Sequence, residues 1–195
     1  MQLILQGKLP DAGNPAAMKR SLEQFLCNLV QHGGDAERSP GGMLWVQPWN
    51  NMQYVTSAAF VAAAHADHLA GASLRCGGAP QLLSFARSQV DYILGANPGR
   101  MSYMVGYGPK FPAEVHHRGS SVPSIKSSPG KITCKGGFDY FSKSTPNPNV
   151  LVGAIVGGPD GNDHYNDSRQ NFQQAEPSTV TVAPIVGVLA RLLHN

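Results

Sequence analysis

Residues 165–183 read YNDSRQNFQQAEPSTVTVA, and the rest of the chain is organised around this stretch. Asp167 and Glu176 lie nine positions apart in it, among aromatic residues and just before a Pro-Ser-Thr sequence that can open a helix. A pair of carboxyl groups, one of which keeps its proton in apolar surroundings, is what hydrolysis of a glycosidic bond requires. The alternative is structural: Asp167 would pair with Arg169 or Arg118, and Glu176 would only support the start of the last helix.

Outward from this stretch, apolar side chains recur at helical spacing in four segments. The predicted helices are Ala16–His32 with Gly33-Gly34 as the stop, about Gln53 to Ala70, Gln81–Leu94, and Pro177 or Ser178 to Leu193, crossed by Pro184. Between the last two lies a long stretch, from Arg100 to about Asn166, that is rich in Gly, Pro, Ser and Asn but also in aromatic residues. Its aromatic content indicates order, so we expect loops that form a site. The predicted fold class is all-α, with long active-site loops on one face.

Composition limits the possible functions. The chain has 195 residues, 42% of them apolar and 14% charged, which is typical of one domain with a substantial core. The net charge is only +3, without a run of Lys or Arg, so nucleic-acid or membrane-surface binding is not indicated. We expect no membrane segment in this chain, and its first 14 residues do not form a signal peptide.

The residues that commonly bind metals do not form a recognisable site. The chain has an odd number of cysteines, Cys27, Cys76 and Cys134. Their spacing argues against a zinc site or a dense disulfide framework, while one bridge plus one free thiol stays open. His65 and His68 have no supporting Glu or Cys nearby, and Asp160-Gly161-Asn162-Asp163 has the wrong order for an EF-hand and indicates a turn. We therefore expect no metal and no cofactor.

A second polar cluster precedes the carboxylates. Residues 115–121 read VHHRGSS, which places His116 and Arg118 close together with two hydroxyl groups. Such donors suit the binding of sugar hydroxyls, and the planar fork of an arginine can also hold a carboxylate. Trp45 and Trp49 lie in a loop, where an indole can stack on a sugar ring. The alternative that at least one of them belongs to the core stays open.

The two clusters together resemble glycoside hydrolase family 9, in particular the plant endo-β-1,4-glucanases (cellulases). The first family signature is matched by Ser102-Tyr-Met-Val105, Gly108, Lys110 and Val115-His116-His117-Arg118. The second is matched by Tyr165, Asp167, Phe172, Glu176 and Ser178. The chain departs from the family at Val182, where an Asn would bond loop backbone near Glu176. Since Val cannot make that bond, we expect a looser placement of the acid.

The resemblance implies a role for each matched residue. Glu176 would be the general acid, Asp167 a supporting acidic residue, and His116 a contact to the sugar near the cleaved bond. The residues expected to bind the substrate, a β-glucan polysaccharide, are Arg118, Trp49 and Tyr165. The family inverts the anomeric centre, so a separate carboxylate, roughly 6.5–9.5 Å from the acid, would activate water.

The resemblance also implies that residues 1–195 are the C-terminal portion of a catalytic domain, a partial (α/α)6 barrel whose N-terminal portion is absent. The family's base is an Asp in an Asp-Ala-Gly-Asp motif near the start of the domain, and Asp11-Ala12-Gly13-Asn14 matches it only by chance. We therefore expect this chain alone to be inactive. The alternatives are a non-catalytic remnant that binds glucan and a structural fragment that needs a partner chain. The full-length parent would be monomeric and secreted.

Overall fold

The computed structural model describes residues 14–31, 36–69 and 71–194, and its regular elements are helices. The long helices are α1 (Pro15–Val30), α2 (Met52–Ala66), α3 (Ala79–Leu94) and α7 (Thr179–Leu193). The short helices are α4 (Arg118–Ser121), α5 (Gly136–Phe141) and α6 (Phe172–Ala175). Within the described ranges, extended backbone pairs only at isolated bridges, such as that between Met104 and Ile155. The all-α prediction is confirmed.

Helix α2 packs against both α3 and α7 and contributes much of the core. Its buried positions are largely alanines, namely Ala58, Ala59, Ala62, Ala63 and Ala66. Alanine favours the helix and leaves room for a neighbouring backbone to come close. Gly187 of α7 marks one such approach, because a Cβ at that position would stand 2.9 Å from Cδ2 of Phe60 on α2. A larger residue at 187 would therefore require the ring of Phe60 or helix α7 to shift.

The first two helices follow the sequence pattern, with differences at their ends. Helix α1 begins after Asn14, whose Oδ1 accepts the backbone N–H of Ala17 at 3.0 Å, a typical N-cap. Its predicted stop, Gly33-Gly34, lies outside the described residues, as do residues 11–13 of the Asp-Ala-Gly-Asn sequence. Helix α2 ends at Ala66, short of the predicted Ala70, which also lies outside the described residues.

Helix α3 begins two residues earlier than predicted. The Gly-Gly-Ala-Pro sequence was expected to form a loop before the helix. Pro80 instead lies in the first helical turn, where the backbone N–H that proline lacks would have no partner within the helix. Gln81 closes that turn, because its Oε1 accepts the backbone N–H of Gly78 at 2.8 Å. Helix α7 begins at Thr179, close to the predicted start, and continues through Pro184.

The long stretch from Arg100 to Asn166 is structured, and it contains α4 and α5. Backbone hydrogen bonds join two of its own segments to each other. The N–H of Val105 donates to Ala154 at 2.8 Å, and the N–H of Gly153 donates back to Val105 at 2.9 Å. The helices in this stretch are short, as expected for a segment so rich in Gly and Pro.

A disulfide joins Cys27 of α1 to Cys76, which lies just before α3, 49 positions later. Cys134 carries a free and exposed thiol. Of the possibilities left open by the sequence, one bridge plus one free thiol is the arrangement found. The bridge attaches α1 to the start of α3 by a covalent link.

One segment of the described residues, Phe172–Leu193, is long and apolar enough to cross a bilayer by length and composition alone. The sequence analysis anticipated no such segment. A single stretch of this kind is weak evidence for a membrane span, because core helices of water-soluble proteins have the same character. Here the backbone is also extended at Glu176 and Ser178, which separates α6 from α7.

Candidate active site

Glu176 lies in the short extended segment between α6 and α7, and its carboxylate meets Trp49. The indole Nε1–H of Trp49 donates to Oε2 of Glu176 at 3.3 Å. Trp49 is half exposed, at 53% of its full accessible area. The contact joins two motifs that are 127 positions apart in the sequence.

The backbone beside Trp49 is fixed to the segment that carries Glu176. The N–H of Asn50, in the left-handed conformation with φ 49°, donates to the carbonyl of Gln173 at 2.9 Å. Asn51 is fully buried; its amide accepts the N–H of Val46 at 2.9 Å and donates to the carbonyl of Leu44 at 2.8 Å. These bonds hold Trp49 in place without using its own side chain.

His116 is placed against the same segment through two hydrogen bonds. Its backbone N–H donates to the carbonyl of Ala175 at 2.9 Å, one residue before Glu176. Its Nδ1 lies 2.6 Å from the carbonyl oxygen of Arg169. Since a carbonyl can only accept, Nδ1 carries a proton, and in the neutral imidazole Nε2 is then the nitrogen that can accept from a ligand.

Aromatic contacts connect these residues into one group, which we call the aromatic cluster: Trp49, His116, Phe141 and Phe172. Phe172 lies between Trp49 and His116, with its ring centre 6.2 Å from that of Trp49 and 6.0 Å from that of His116. Phe141 packs edge-on against His116, with the ring centres 5.3 Å apart. The structure therefore brings Trp49, His116 and Glu176 together.

Arg118, the first residue of α4, packs against the short helix α5, as His116 does. Its guanidinium stacks over the ring of Phe138 at 4.2 Å, while His116 packs on Phe141. Phe138 and Phe141 are three positions apart on α5, so they share one face of that helix. Arg118 itself is exposed, and its charge faces solvent beside the aromatic cluster.

Asp167 binds backbone and has no ion-pair partner among the described residues. Its Oδ2 accepts the N–H of Ala113 at 2.8 Å, and its Oδ1 accepts the N–H of Glu114 at 3.0 Å. The pairing with Arg169 or Arg118, which we had considered as the alternative, is not what the structure shows. Asp167 instead anchors the segment that leads into His116.

The side chain of Tyr165 packs against its neighbours, and its hydroxyl is not exposed to solvent. Its ring packs on Tyr103 at 5.4 Å, and its hydroxyl is buried without a hydrogen-bond partner among the described residues. Burial, and to a lesser extent the charge of Asp167, raise the pKa of Tyr165. Its predicted contact with substrate stays a prediction.

The two tryptophans have different surroundings, as the sequence analysis had allowed. Trp45 packs against the core, and its ring lies so close to Gly161 that a Cβ there would stand 3.0 Å from Cε2. Gly161 belongs to the acidic stretch 160–163, which forms a turn: Oδ1 of Asp160 accepts the N–H groups of Asn162 and His164, each at 2.9 Å. Only Trp49 of the pair is available to stack on a ligand.

Arg169 and Asn147 are functional candidates that the sequence analysis did not identify. Arg169 is 2% exposed and, although charged, binds neutral acceptors. Its Nε donates to Oδ1 of Asn147 at 2.7 Å, and Nδ2 of Asn147 donates to the carbonyl of Val115 at 2.9 Å. The only signal in the sequence was the position of Arg169 between Asp167 and Glu176. In the part of the chain that the structure describes, no group of three His, Cys, Asp or Glu side chains could hold a metal.

A comparison with protein families decides the classification. The sequence profile of Glycosyl hydrolase family 9 matches residues 4–189. The chain belongs to this family. The resemblance seen in the sequence is confirmed.

Curated relatives of this family 9 chain are plant endoglucanases. Endoglucanase 14 of Oryza sativa subsp. japonica is 68% identical over 208 residues, a match that covers 99% of this chain and 41% of the relative. Endoglucanase 15 of Arabidopsis thaliana is 50% identical over 200 residues, covering 98% of this chain and 41% of the relative. This chain thus spans about two-fifths of the length of these relatives.

Solved structures of similar fold are also family 9 cellulases. The endoglucanase of the termite Nasutitermes takasagoensis superposes with a TM-score of 0.75 at 32% identity, covering 91% of this chain and 36% of that one. Endoglucanase CelQ of Clostridium thermocellum, complexed with cellobiose and cellotriose, has a TM-score of 0.75 at 28% identity, covering 98% and 28%. The described helices therefore have the arrangement found within larger family 9 enzymes.

Val182 is the residue at which the sequence was expected to depart from the family motif. It lies on α7 and lines an open, largely apolar groove together with Leu151, Val152 and Pro177. Pro177 directly follows Glu176, so the groove adjoins the segment that carries the acid. An apolar side chain at 182 adds no hydrogen bond to that segment.

Proposed function

We propose that this chain is the C-terminal portion of a family 9 catalytic domain that hydrolyses β-1,4-glucosidic bonds in cellulose or a related β-glucan. The observation that carries the proposal is the hydrogen bond from Trp49 to Glu176, with Phe172 packed between Trp49 and His116. An exposed indole beside a carboxyl group and an imidazole can stack on one sugar ring while the acid reaches the oxygen of the next bond.

In this proposal Glu176 donates its proton to the oxygen of the leaving sugar, and the reaction inverts the anomeric centre. Nε2 of His116 accepts a hydrogen bond from a hydroxyl of the sugar near the cleaved bond. Arg118, Trp49 and Tyr165 contribute to binding of the glucan. No metal or other cofactor is needed, because acid and base are both carboxyl groups.

Asp167 acts as a supporting residue and does not activate water. Both of its carboxylate oxygens already accept backbone N–H groups, those of Ala113 and Glu114. Its charge thereby holds the approach to His116 in place. The carboxylate that activates the water would come from sequence outside residues 1–195, as the family motif implies.

The same proposal assigns these helices to part of an (α/α)6 barrel. The support is a set of large apolar side chains that the described helices leave exposed, although soluble domains cover most of their apolar faces. On α1, α2 and α7 they are Met18, Phe25, Tyr54, Phe60, Val180, Val186 and Leu193. Further helices of the same domain would cover them and leave a monomeric parent. That this parent is secreted is proposed from the resemblance to the plant enzymes alone.

The second candidate is a chain without catalytic activity that keeps the glucan-binding surface or completes a barrel with a partner chain. The exposed apolar side chains of the described helices favour it, because a partner chain could cover them. The two candidates differ in one measurable property, which is hydrolysis by the chain once the remaining part of the domain is supplied.

The test joins the N-terminal part of rice Endoglucanase 14, which this chain does not cover, ahead of Met1. We expect the fusion to hydrolyse carboxymethylcellulose and the 195-residue chain alone to show no turnover. Glu176→Gln in the fusion should lower turnover by about 10³-fold, because an amide cannot donate the proton. Glu23→Gln on α1 is the matched control and should leave turnover unchanged. A folded fusion without activity would contradict the catalytic proposal. Turnover by the 195-residue chain alone would contradict the proposal that the catalytic base lies outside residues 1–195.

A further inference from the structure

The side chain of Arg169 is buried and binds a single segment of chain. Its Nη1 donates to the carbonyl of Phe141 at 3.1 Å and also to that of Lys143, and its Nη2 donates to the carbonyl of Thr145 at 2.5 Å. Its Nε donates to the side-chain oxygen of Asn147. Every one of these acceptors lies between residues 141 and 147. A planar guanidinium with five donors is suited to gathering several carbonyls of one turn.

The backbone of the same residue holds the imidazole of His116. The carbonyl oxygen of Arg169 is 2.6 Å from Nδ1 of His116, which must therefore carry the proton. The side chain of Arg169 also reaches a neighbour of this imidazole, because it binds the carbonyl of Phe141, whose ring packs edge-on against His116. Two neighbours of the imidazole, the carbonyl of Arg169 and the ring of Phe141, are therefore linked to Arg169.

A third connection runs through the backbone before His116. Asn147 accepts from Arg169 and donates Nδ2 to the carbonyl of Val115, the residue that precedes the histidine. Its own N–H donates to the carbonyl of Ala113 at 2.8 Å. The position of the His116 backbone therefore depends on the same buried guanidinium.

We propose that Arg169 is a positioning residue for His116: it holds the imidazole as the Nδ1–H tautomer and so keeps Nε2 as the nitrogen that accepts from the substrate. The functional part of this inference rests on the proposed role of His116 as a sugar contact. The tautomer itself can be measured without any substrate. A buried arginine that only stabilised the 141–147 segment would leave the tautomer of His116 unchanged when replaced.

The test is the side-chain ¹⁵N spectrum of histidine in the 195-residue chain, with the His116 signals assigned by their loss in His116→Gln. We expect the Nδ1–H tautomer in the unaltered chain. Arg169→Lys keeps the charge but loses the fork of donors, and should give a mixture of both tautomers at His116 with the other histidines unmoved. Arg87→Lys, an exposed arginine on α3, is the matched control and should change nothing.

Two outcomes would overturn the inference: the Nε2–H tautomer in the unaltered chain, or an unchanged tautomer in an Arg169→Lys variant that melts like the unaltered chain. Should Arg169→Lys fail to fold, Asn147→Ala removes the link to Val115 and should shift the tautomer as well. A second arm titrates cellotetraose into the fusion with the rice segment, where we expect Arg169→Lys to bind it about tenfold more weakly than Arg87→Lys. Failure of the unaltered fusion to bind cellotetraose would count against the proposed function, while the tautomer would still decide the positioning role.

Discussion

The hydroxyl of Tyr92 donates to Oδ1 of Asp163 at 2.5 Å, although the two residues are 71 positions apart. The other carboxylate oxygen of Asp163 accepts the N–H of Gly41 at 2.6 Å. Asp163 is buried and in the left-handed conformation, with φ 66°. It therefore connects α3, the loop before Trp49 and the turn that leads into the site.

Removing this hydroxyl should cost more stability than removing that of Tyr165. In Tyr92→Phe the buried carboxylate loses a donor, which should lower the free energy of unfolding by about 1–3 kcal/mol. In Tyr165→Phe the lost hydroxyl has no partner among the described residues, so the change should stay within about 0.5 kcal/mol or be stabilising. Urea denaturation measures both, and equal losses in the two variants would contradict this assignment.

Stability should fall at alkaline pH because of three buried phenols. Burial raises the pKa of Tyr92, Tyr103 and Tyr165 in the folded chain. Above the ordinary tyrosine pKa of about 10 the unfolded chain loses these protons while the folded chain keeps them, so the free energy of unfolding decreases as pH rises. Phenolate absorbance followed against pH should show these three groups ionising together with unfolding. Ionisation of all six tyrosines before any loss of helical signal would rule this out.

The disulfide should contribute substantially to stability. Cys27→Ser with Cys76→Ser opens a cross-link between residues 49 positions apart, and the free energy of unfolding should fall by about 2–4 kcal/mol. Cys134→Ser, at the exposed free thiol, is the matched control and should stay within about 0.5 kcal/mol. Guanidinium denaturation with and without a reductant measures the difference. An unaltered midpoint on reduction would show that the bridge does not hold α1.

Trp49 should affect turnover through its N–H as well as through its ring. In the fusion with the rice segment, Trp49→Phe keeps an aromatic face but removes the donor to Glu176, and we expect kcat to fall about fivefold. Trp49→Ala should in addition raise KM, because the stacking surface is lost. Trp45→Phe provides the control for a tryptophan that packs on the core. Loss of activity in Trp45→Phe equal to that in Trp49→Phe would indicate a general structural effect.

Restoring the family residue at position 182 should tighten the placement of the acid. Val182→Asn introduces an amide that can bond backbone in the groove beside Pro177, and kcat of the fusion should rise up to about tenfold. Val186→Asn, one turn further along α7 and 61% exposed, is the control and should have no effect on kcat. A fall in kcat with Val182→Asn would show that the groove is adapted to valine.

Much of the fold and of the site could be predicted from local patterns. Apolar spacing located the long helices, because a helix repeats every three or four residues and the sequence shows that period directly. The beginning of α3 was missed because Gln81 closes the turn at Gly78 through its side chain, which periodicity does not show. The short motifs around His116 and Glu176 were sufficient to indicate the family that the comparison then confirmed.

The sequence by itself determined the helical class, the family and the residue types of the candidate site. Only the tertiary structure decided that Trp49 meets Glu176, that Cys27 pairs with Cys76, and that Arg169 binds carbonyls and not Asp167. The physical reason is the separation in sequence between the groups that make each contact. Helix periodicity and short motifs depend on neighbours within a few positions, whereas these contacts join groups that are 22 to 127 positions apart and form only when the helices have packed.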